Sequence, residues 1–575
     1  MRWSVAASLR WLPLSRWART YDRSTARDDL RAGATVAVLL VPQSLAYAAL
    51  AGMPPVTGLY ASAISLVVYA LLGTSNYSSV APVAVDSLLV AAAVAPLADG
   101  DPGRYVALAG LLAVLTGLLQ LLAGALRLGA LAGFISVPVT SGFTSAAALT
   151  IAVSQLGDLL GLPGGRSGSS SLLDTVAGLL PRLGEIQPVT LAVGTVAVVG
   201  LVVLRRYLPQ VPGPLIAVVV TTVIALVPGV AGQLSLIVEV PRGFPVPTLP
   251  TLTLADLRAL LPSALALALV SYLESISTAT TFARRTRTRI NPNGELVALG
   301  SANVAAGLFQ GFNVSASFSR GAVNLGAGAR TPMSGVVAAA SVAAALLTIA
   351  PLLGLIPKVA LAAVVIVAVS SLVDVRSAAR IARVRRSDLV ALVATFVATV
   401  SLGVVPGLAV GVAVGIIAFL RQSVRPHLPE LGRVPGTSRF RNLARHPDAL
   451  TDPAVALFRL DAPLYFANAR VVADAITEAV GSRDRVRAVV LDASSIPWID
   501  YTGAEVLADL DADLRDAGLE LHLAAVRGPV ADILARFEHR LLAEHRVHTD
   551  VAGAVTALGL DPDSPLLPPE TTAGE

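Results

Sequence analysis

Apolar residues dominate this chain from Ala32 to Leu420, whereas Arg421 to Glu575 mixes polar and apolar residues as a water-soluble domain does. A helix that crosses a bilayer needs about 20 apolar residues, with a range of about 17–25. On that ruler the apolar region predicts spans near 32–50, 57–72, 80–97, 105–123, 131–155, 189–204, 214–230 and 259–282. A second set follows near 294–311, 314–329, 332–350, 358–373, 388–404 and 407–420, giving fourteen. The first run is too long for a signal peptide and follows a polar or amphipathic stretch, so it reads as a retained span.

The third and tenth spans are broken by short polar stretches that form a matched pair. One is Ser78-Ser79-Val80-Ala81-Pro82-Val83-Ala84-Val85-Asp86; the other runs from Asn313 through Ser315, Ser317 and Arg320 to Asn324. In hydrocarbon each unsatisfied backbone group costs several kcal/mol, so a broken helix survives only inside protein or beside a wet cavity. Paired breaks in two halves of a membrane protein point to a transport site. Both breaks fall in the third span of a seven-span half, and Asn76 and Asn313 precede them at equivalent places. An odd number of spans per half makes the halves inverted, so a 7+7 inverted repeat is expected.

Composition agrees with the membrane class. The 575 residues are 54% hydrophobic and 14% charged, against about 25% charged in soluble domains. The net charge of +5 could suggest nucleic acid, but the cations are almost all Arg, with Lys358 the only lysine, and they lie in bands beside apolar runs. Such bands before Ala32, at Arg205 and Arg206, at Arg284–Arg289, at Arg376–Arg386 and after Leu420 fit one side of a membrane only if both termini are cytoplasmic. No nucleic-acid partner is expected. There is no Cys, and all six His residues lie after the last apolar run, so only carboxylates could couple protons within the membrane.

Asp28-Asp29-Leu30-Arg31-Ala32-Gly33 followed by Val41-Pro42-Gln43-Ser44-Leu45-Ala46-Tyr47-Ala48 resembles the opening of the sulfate-permease (SulP) family of anion transporters. Gly52-Met53-Pro54-Pro55-Val56-Thr57-Gly58-Leu59-Tyr60, Ser79-Val80-Ala81-Pro82-Val83-Ala84, Leu273-Glu274-Ser275-Ile276 and Ser317-Phe318-Ser319-Arg320-Gly321-Ala322-Val323-Asn324 continue the resemblance in order. It implies a core domain of spans one to four and eight to eleven, a gate domain of the rest, a cytoplasmic STAS domain and a homodimer. It also implies that Gln43 and Tyr47 complete the pocket, with Phe318 as a wall and Ala81 and Val83 of the third-span motif beside it.

The physics of such a site stands apart from the resemblance. A half-helix starting near the midplane points unpaired N–H groups and about half a positive charge at whatever faces it. Two such ends form an anion site without metal, and Ser79, Ser317 and Ser319 add hydroxyl donors with Arg320 as a fixed cation. Close helix packing by Ser and Gly is the alternative.

Glu274 lies near the middle of an apolar span, where a charged acid costs about 2.5–3.5 kcal/mol, so it is a functional candidate. Thr278 follows one turn later on the same face. The resemblance places a proton-coupling carboxylate there in proton-driven members; the Glu/Thr pair could instead line a Na⁺ site, or Glu274 could form a static bridge with Arg320. Asp86 departs from the family, which shows an apolar or small residue at that place. It could be protonated, pair with Arg320, or serve as a second coupling site.

After Leu420 the pattern predicts strands at 454–460, 486–491 and 519–526 and helices at 467–480, 501–515 and 530–538, a small α/β sandwich. Leu491-Asp492-Ala493-Ser494 with Ile499-Asp500-Tyr501-Thr502-Gly503 resembles the STAS switch loop, in which the Thr502 position is phosphorylated in some members; Asp500 or Thr502 could instead cap the helix. His539, His545 and His548 match no standard metal spacing, and no metal or cofactor is expected.

The expected organisation is an N-terminal segment 1–31, a transport domain 32–420, a linker 421–440, a STAS domain 441–560 and a disordered tail 561–575. The expected function is transport, not enzymatic catalysis: a sulfate-like anion moved with protons by elevator-type displacement of core against gate. Na⁺-coupled bicarbonate or dicarboxylate uptake and anion exchange are the alternatives. A nucleobase–cation symporter usually needs an acid where this chain has Ser319-Arg320, and a merely regulatory membrane anchor would not need Arg320.

Overall fold

The computed structural model describes Trp17 and residues 21–559 except 131–135, 163–170, 209–210, 231, 238–240, 242, 249–252 and 482. The tail after Asp561 and most of the N-terminal segment lie outside the described residues. The chain forms two compact units, Met1–Gly415 and Ile416–Glu575.

Each of the fourteen apolar runs holds a helix. In the first half these are α1 (Arg23–Leu50), α2 (Pro55–Leu72), α3 (Ala84–Val94), α4 (Pro102–Ala125), α5 (Val137–Ser154), α6 (Pro188–Tyr207) and α7 (Gly213–Ala225). In the second they are α8 (Leu254–Thr286), α9 (Pro292–Leu308), α10 (Phe318–Gly326), α11 (Met333–Thr348), α12 (Lys358–Val369), α13 (Arg386–Leu402) and α14 (Val404–Val424). Two residues before each half-helix are extended, as β1 (Val80–Ala81) and β2 (Ser315–Ala316). Among the described residues, eight helical stretches are long and apolar enough to cross a membrane. The Arg band at 376–386 is more than a loop: Val375–Val384 is an amphipathic helix with exposed arginines, capped by Asp374, whose side chain accepts from the Ser377 N–H.

Helices α1 to α4 and α8 to α11 pack mainly on one another, α5 packs on α13, and α6 packs on α7 and α12. The α4–α9 crossing shows how small residues set this core. Gly110 faces Gly307 and Gly117 faces Gly300; a Cβ on Gly117 would stand 2.5 Å from the Gly300 carbonyl, and one on Gly307 would stand 2.4 Å from that of Gly110. Hydrocarbon offers no hydrophobic drive to join helices, so close backbone approach and its dispersion contacts replace it.

Two buried acids in this unit are fully tied to structure. Asp29 accepts from the N–H groups of Arg330 and Thr331 (2.8 and 3.1 Å) and from the Thr331 hydroxyl, joining α1 to the turn before α11. Glu295 accepts from the Tyr69 hydroxyl at 2.7 Å and from the Thr74 N–H at 2.8 Å.

In the second unit a parallel sheet runs in the order β5 (Val455–Arg459), β6 (Ala488–Asp492), β7 (Glu520–Ala524) and β8 (Val547–His548). Helices α15 (Ala469–Gly481), α16 (Tyr501–Asp516), α17 (Gly528–Arg536) and α18 (Val551–Ala557) pack with it. Residues 421–440, read as a linker, are partly built into this unit. A hairpin of β3 (Leu431–Arg433) and β4 (Phe440–Asn442) forms there, and Glu430 bridges to Phe458. Leu431 is buried with Val455 and Val490, so the segment is shorter as a connector than its polar composition suggests.

Candidate functional site

The two breaks meet. Val80 pairs with Ala316 and Ala81 with Ser315 in an antiparallel ribbon, and the Ser317 N–H donates to the Ser79 carbonyl at 3.3 Å. Because the strands oppose one another, α3 and α10 leave opposite ends of the ribbon. The N-cap of α10, Ser317, therefore lies across from Ser79, and Val83, the N-cap of α3, lies at the end occupied by Asn313. Neither N-cap makes a side-chain hydrogen bond to its own helix, so the first-turn N–H groups of both half-helices are left for other acceptors.

The remaining backbone groups of the ribbon are met by polar side chains on the surrounding helices. Ser65 donates to the Val80 carbonyl at 2.9 Å, and Ser275 accepts from the Ala316 N–H at 3.0 Å. Asn303 accepts from the Val314 N–H at 2.8 Å while its amide donates to Gln120 and to the Val314 carbonyl. Sequence reading missed Ser65, Gln120, Ser275 and Asn303 as site residues; their signal was a lone polar residue inside an apolar span, which is also what ordinary helix packing produces.

Arg320 is fully buried and braces the ribbon. Its guanidinium donates to the carbonyls of Pro82 (2.9 Å), Ala81 (3.0 Å) and Ser79 (3.4 Å). The side chain expected to be a fixed cation beside the site has its guanidinium committed to backbone carbonyls of the other break. The static Glu274–Arg320 bridge is not formed, and neither is an Asp86–Arg320 pair: among the described residues Arg320 makes no ion pair. Glu274, on α8, accepts from the Ser315 hydroxyl at 3.1 Å. Asp86, fully buried in the first turn of α3, accepts from the Asn313 amide at 2.9 Å. Asn313 and Ser315 stand two apart on an extended segment and so face one side, which brings the two carboxylates to neighbouring places.

Several polar atoms here are buried without partners: Gln43 Oε1, Ser79 Oγ, Asp86 Oδ1, Asn313 Oδ1, Asn324 Oδ1 and Arg320 Nε. Buried polar groups are nearly always paired, and an orphan is costly, so a cluster of orphans at one place marks a site built for something else to enter. Asp29 and Glu295, with full sets of donors, are the contrast. Tyr47, Ala81, Val83 and Thr278 are also buried. Phe318 is about half exposed and stacks on Phe282 at 5.3 Å, with the Arg285 guanidinium 6.0 Å from its ring. Ser317 and Ser319 hydroxyls lie 3.1 Å apart on the open side of the ribbon.

In the second unit Asp500 is the N-cap of α16, accepting from the Gly503 N–H at 2.7 Å and the Phe466 N–H at 3.0 Å. Thr502 sits beside it, half-buried. Among the described residues no group of His, Asp or Glu is arranged to hold a metal.

The sulfate permease family model matches residues 27–395, and the STAS domain model matches residues 446–554. The chain belongs to the sulfate permease family. A protein of Mycobacterium tuberculosis described as a probable sulfate transporter is 37% identical over 526 residues, covering 91% of this chain and 93% of that one. The chloroplastic sulfate transporter 4.1 of Arabidopsis thaliana is 36% identical, covering 91% of this chain and 78% of that one. In three dimensions, the inward-facing structure of murine solute carrier 26 member A9 superposes with a TM-score of 0.89 at 23% identity, covering 97% of this chain and 96% of that chain, a likeness of fold. The sulfate permease fold, with its C-terminal STAS domain, is the architecture of this protein.

Proposed function

We propose that this sulfate permease family member is a secondary transporter of a small inorganic anion, with a sulfate-like oxyanion favoured, working by proton symport and elevator-type alternating access. One observation carries the reading: a buried ribbon joins two half-helix N-termini whose N-caps leave the first-turn N–H groups uncapped, with the Ser79 hydroxyl unpartnered beside them. Half-helix N-termini and oriented N–H groups favour a negative ligand. The substrate groups we assign are the first-turn N–H groups of α3 and α10, Gln43, Tyr47, Ser79, Ser317 and Ser319, with Ala81, Val83 and Phe318 as walls and Arg320 supplying charge from behind the ribbon.

Glu274 is our assigned coupling residue, with Thr278 and Asp86 beside it. It lies at mid-helix and, among the described residues, its carboxylate accepts its one side-chain hydrogen bond from Ser315, on the ribbon itself, so whatever occupies Glu274 is felt at the anion site. We place the protein in the cell membrane with both termini cytoplasmic, as a homodimer, and assign Thr502 as the position open to phosphorylation.

Counterflow of radiolabelled sulfate, bicarbonate, fumarate and uracil into proteoliposomes tests the substrate class. Sulfate counterflow is expected. Selective bicarbonate or fumarate counterflow would move the assignment to another anion, and uracil counterflow would end the anion reading. Dependence of uptake on Na⁺ at fixed pH would replace the proton by Na⁺ at Glu274 and Thr278.

A further inference from the structure

Outside the transport site, the second unit gathers cations around a cavity of about 190 Å³ lined by His427, Arg441, Asn442, Arg445, His446, Arg459 and Asp461. Three chain segments converge there: the residues just past α14, the end of the β3–β4 hairpin with its following turn, and the end of β5. The framework is fixed by backbone. The Asp461 N–H donates to the His427 carbonyl at 3.1 Å, the Arg459 N–H donates to the Pro429 carbonyl at 3.1 Å, and the N–H groups of Arg445 and His446 both return to the Asn442 carbonyl.

Among the described residues, Asp461 is the one carboxylate lining the cavity, and it is already spent. Asp461 takes the Arg459 Nε at 2.7 Å on one oxygen and His427 Nδ1 at 3.0 Å on the other. Among the described residues the guanidinium groups of Arg441 and Arg445 form no hydrogen bond or ion pair, so the wall carries charge that no described carboxylate balances. Like charges brought together repel, and the hairpin's packing through Leu431 and Phe440 does not call for arginines on its outer face. Guanidinium groups match the oxygens of phosphate or sulfate two at a time. Volume narrows the class: pockets for drug-sized ligands run to about 300–1,000 Å³, so this one suits a single tetrahedral group.

We propose that this cavity is an oxyanion-binding site for one tetrahedral anionic group, phosphate or sulfate, held by Arg441 and Arg445. The group is either a free ion or the headgroup of an anionic lipid.

The test uses the full-length protein in phosphatidylcholine nanodiscs, with equilibrium dialysis of radiolabelled inorganic phosphate and sulfate. The paired variant Arg441→Gln/Arg445→Gln should lose one binding component, with affinity down tenfold or more and an unchanged melting temperature. The control pair Arg470→Gln/Arg536→Gln, exposed arginines elsewhere in the unit, should keep it. If phosphatidylglycerol in the nanodisc suppresses that component, the occupant is a lipid headgroup; if binding persists there, it is the free ion. Wild type without such a component, or equal loss in both pairs, overturns the site.

Discussion

Asp86 and Arg320 hold the same position in the two half-helices, the third residue after the N-caps Val83 and Ser317, and each reaches across the ribbon to the other break. Asp86 meets the side chain of Asn313, and Arg320 meets the carbonyls of Ser79, Ala81 and Pro82. The two half-helices thus carry an acid and a base at the same place. An acid there suits the positive end of its own helix; a cation does not, and Arg320 offsets that conflict by taking three carbonyls.

Asp86 therefore places a carboxyl group in the first turn of α3, and in its ionised form it competes with a cargo anion for that helix end. A charge at a partly buried helix N-terminus is worth up to about 2 kcal/mol, and about 1.4 kcal/mol is tenfold in affinity. Asp86→Asn keeps an acceptor for Asn313 and removes the acid. Sulfate affinity by titration calorimetry should rise roughly tenfold; a fall would show that Asp86 faces away from the cargo.

Arg320→Lys should behave almost as badly as Arg320→Ala. A single ammonium cannot span carbonyls that the planar fork reaches together, and each hydrogen bond to a charged group is worth about 1.5–3 kcal/mol. Both variants should lower the melting temperature in detergent and weaken sulfate binding at least tenfold. Lost binding with an unchanged melting temperature would mean that the guanidinium serves the cargo and not the ribbon.

Much of this was legible in the sequence, for a physical reason. Hydrocarbon demands that apolar runs be helices, so each run holds one, and the breaks at Ser79–Pro82 and Asn313–Ser317 announced themselves as exceptions. Glu274 stood out because an acid in an apolar helix is costly. The direction of side chains across the ribbon was hidden. Arg320 read as a cation for the cargo because sequence does not reveal that strand register puts three carbonyls under it. Glu295, at the polar start of α9, gave no mid-helix signal and turned out to be a structural tie. In the second unit the strand Leu431–Arg433 was lost in a polar stretch because its three residues are too short for an alternating pattern.

The α4–α9 crossing predicts a sharp contrast between glycines. Gly117→Val would drive a Cβ to within 2.5 Å of the Gly300 carbonyl, with backbone as the obstacle. Folded protein recovered from membranes should drop severely, by tenfold or more in fluorescence size-exclusion yield. Gly200→Ala, on α6 with nothing near its Cβ position, should be neutral. A well-folded Gly117→Val protein would refute the close crossing.

The second unit should weaken in mild acid. Burial lowers the His548 value, as does the neighbouring His522 ring, and burial chiefly lowers that of His539. Both groups bind protons more readily when unfolded, so stability is fully present above their ordinary value of about 6.5 and declines as pH falls below it. Hydrogen exchange at 520–524 on β7 should speed up between pH 7.5 and 5.5, and His548→Gln should flatten that change. An exchange rate that, once corrected for intrinsic chemistry, is flat over this range would contradict the linkage.

An anion site at the ribbon and a proton site at Glu274 should act together in transport, and sulfate flux through Glu274→Gln in proteoliposomes separates them. Gln mimics a carrier that never releases its proton. Uptake driven by an inward proton gradient should collapse, because the empty carrier needs deprotonation to return, while sulfate–sulfate exchange at equal concentrations should persist near the wild-type rate. Gradient-driven accumulation at the wild-type level by Glu274→Gln would rule out proton coupling through Glu274.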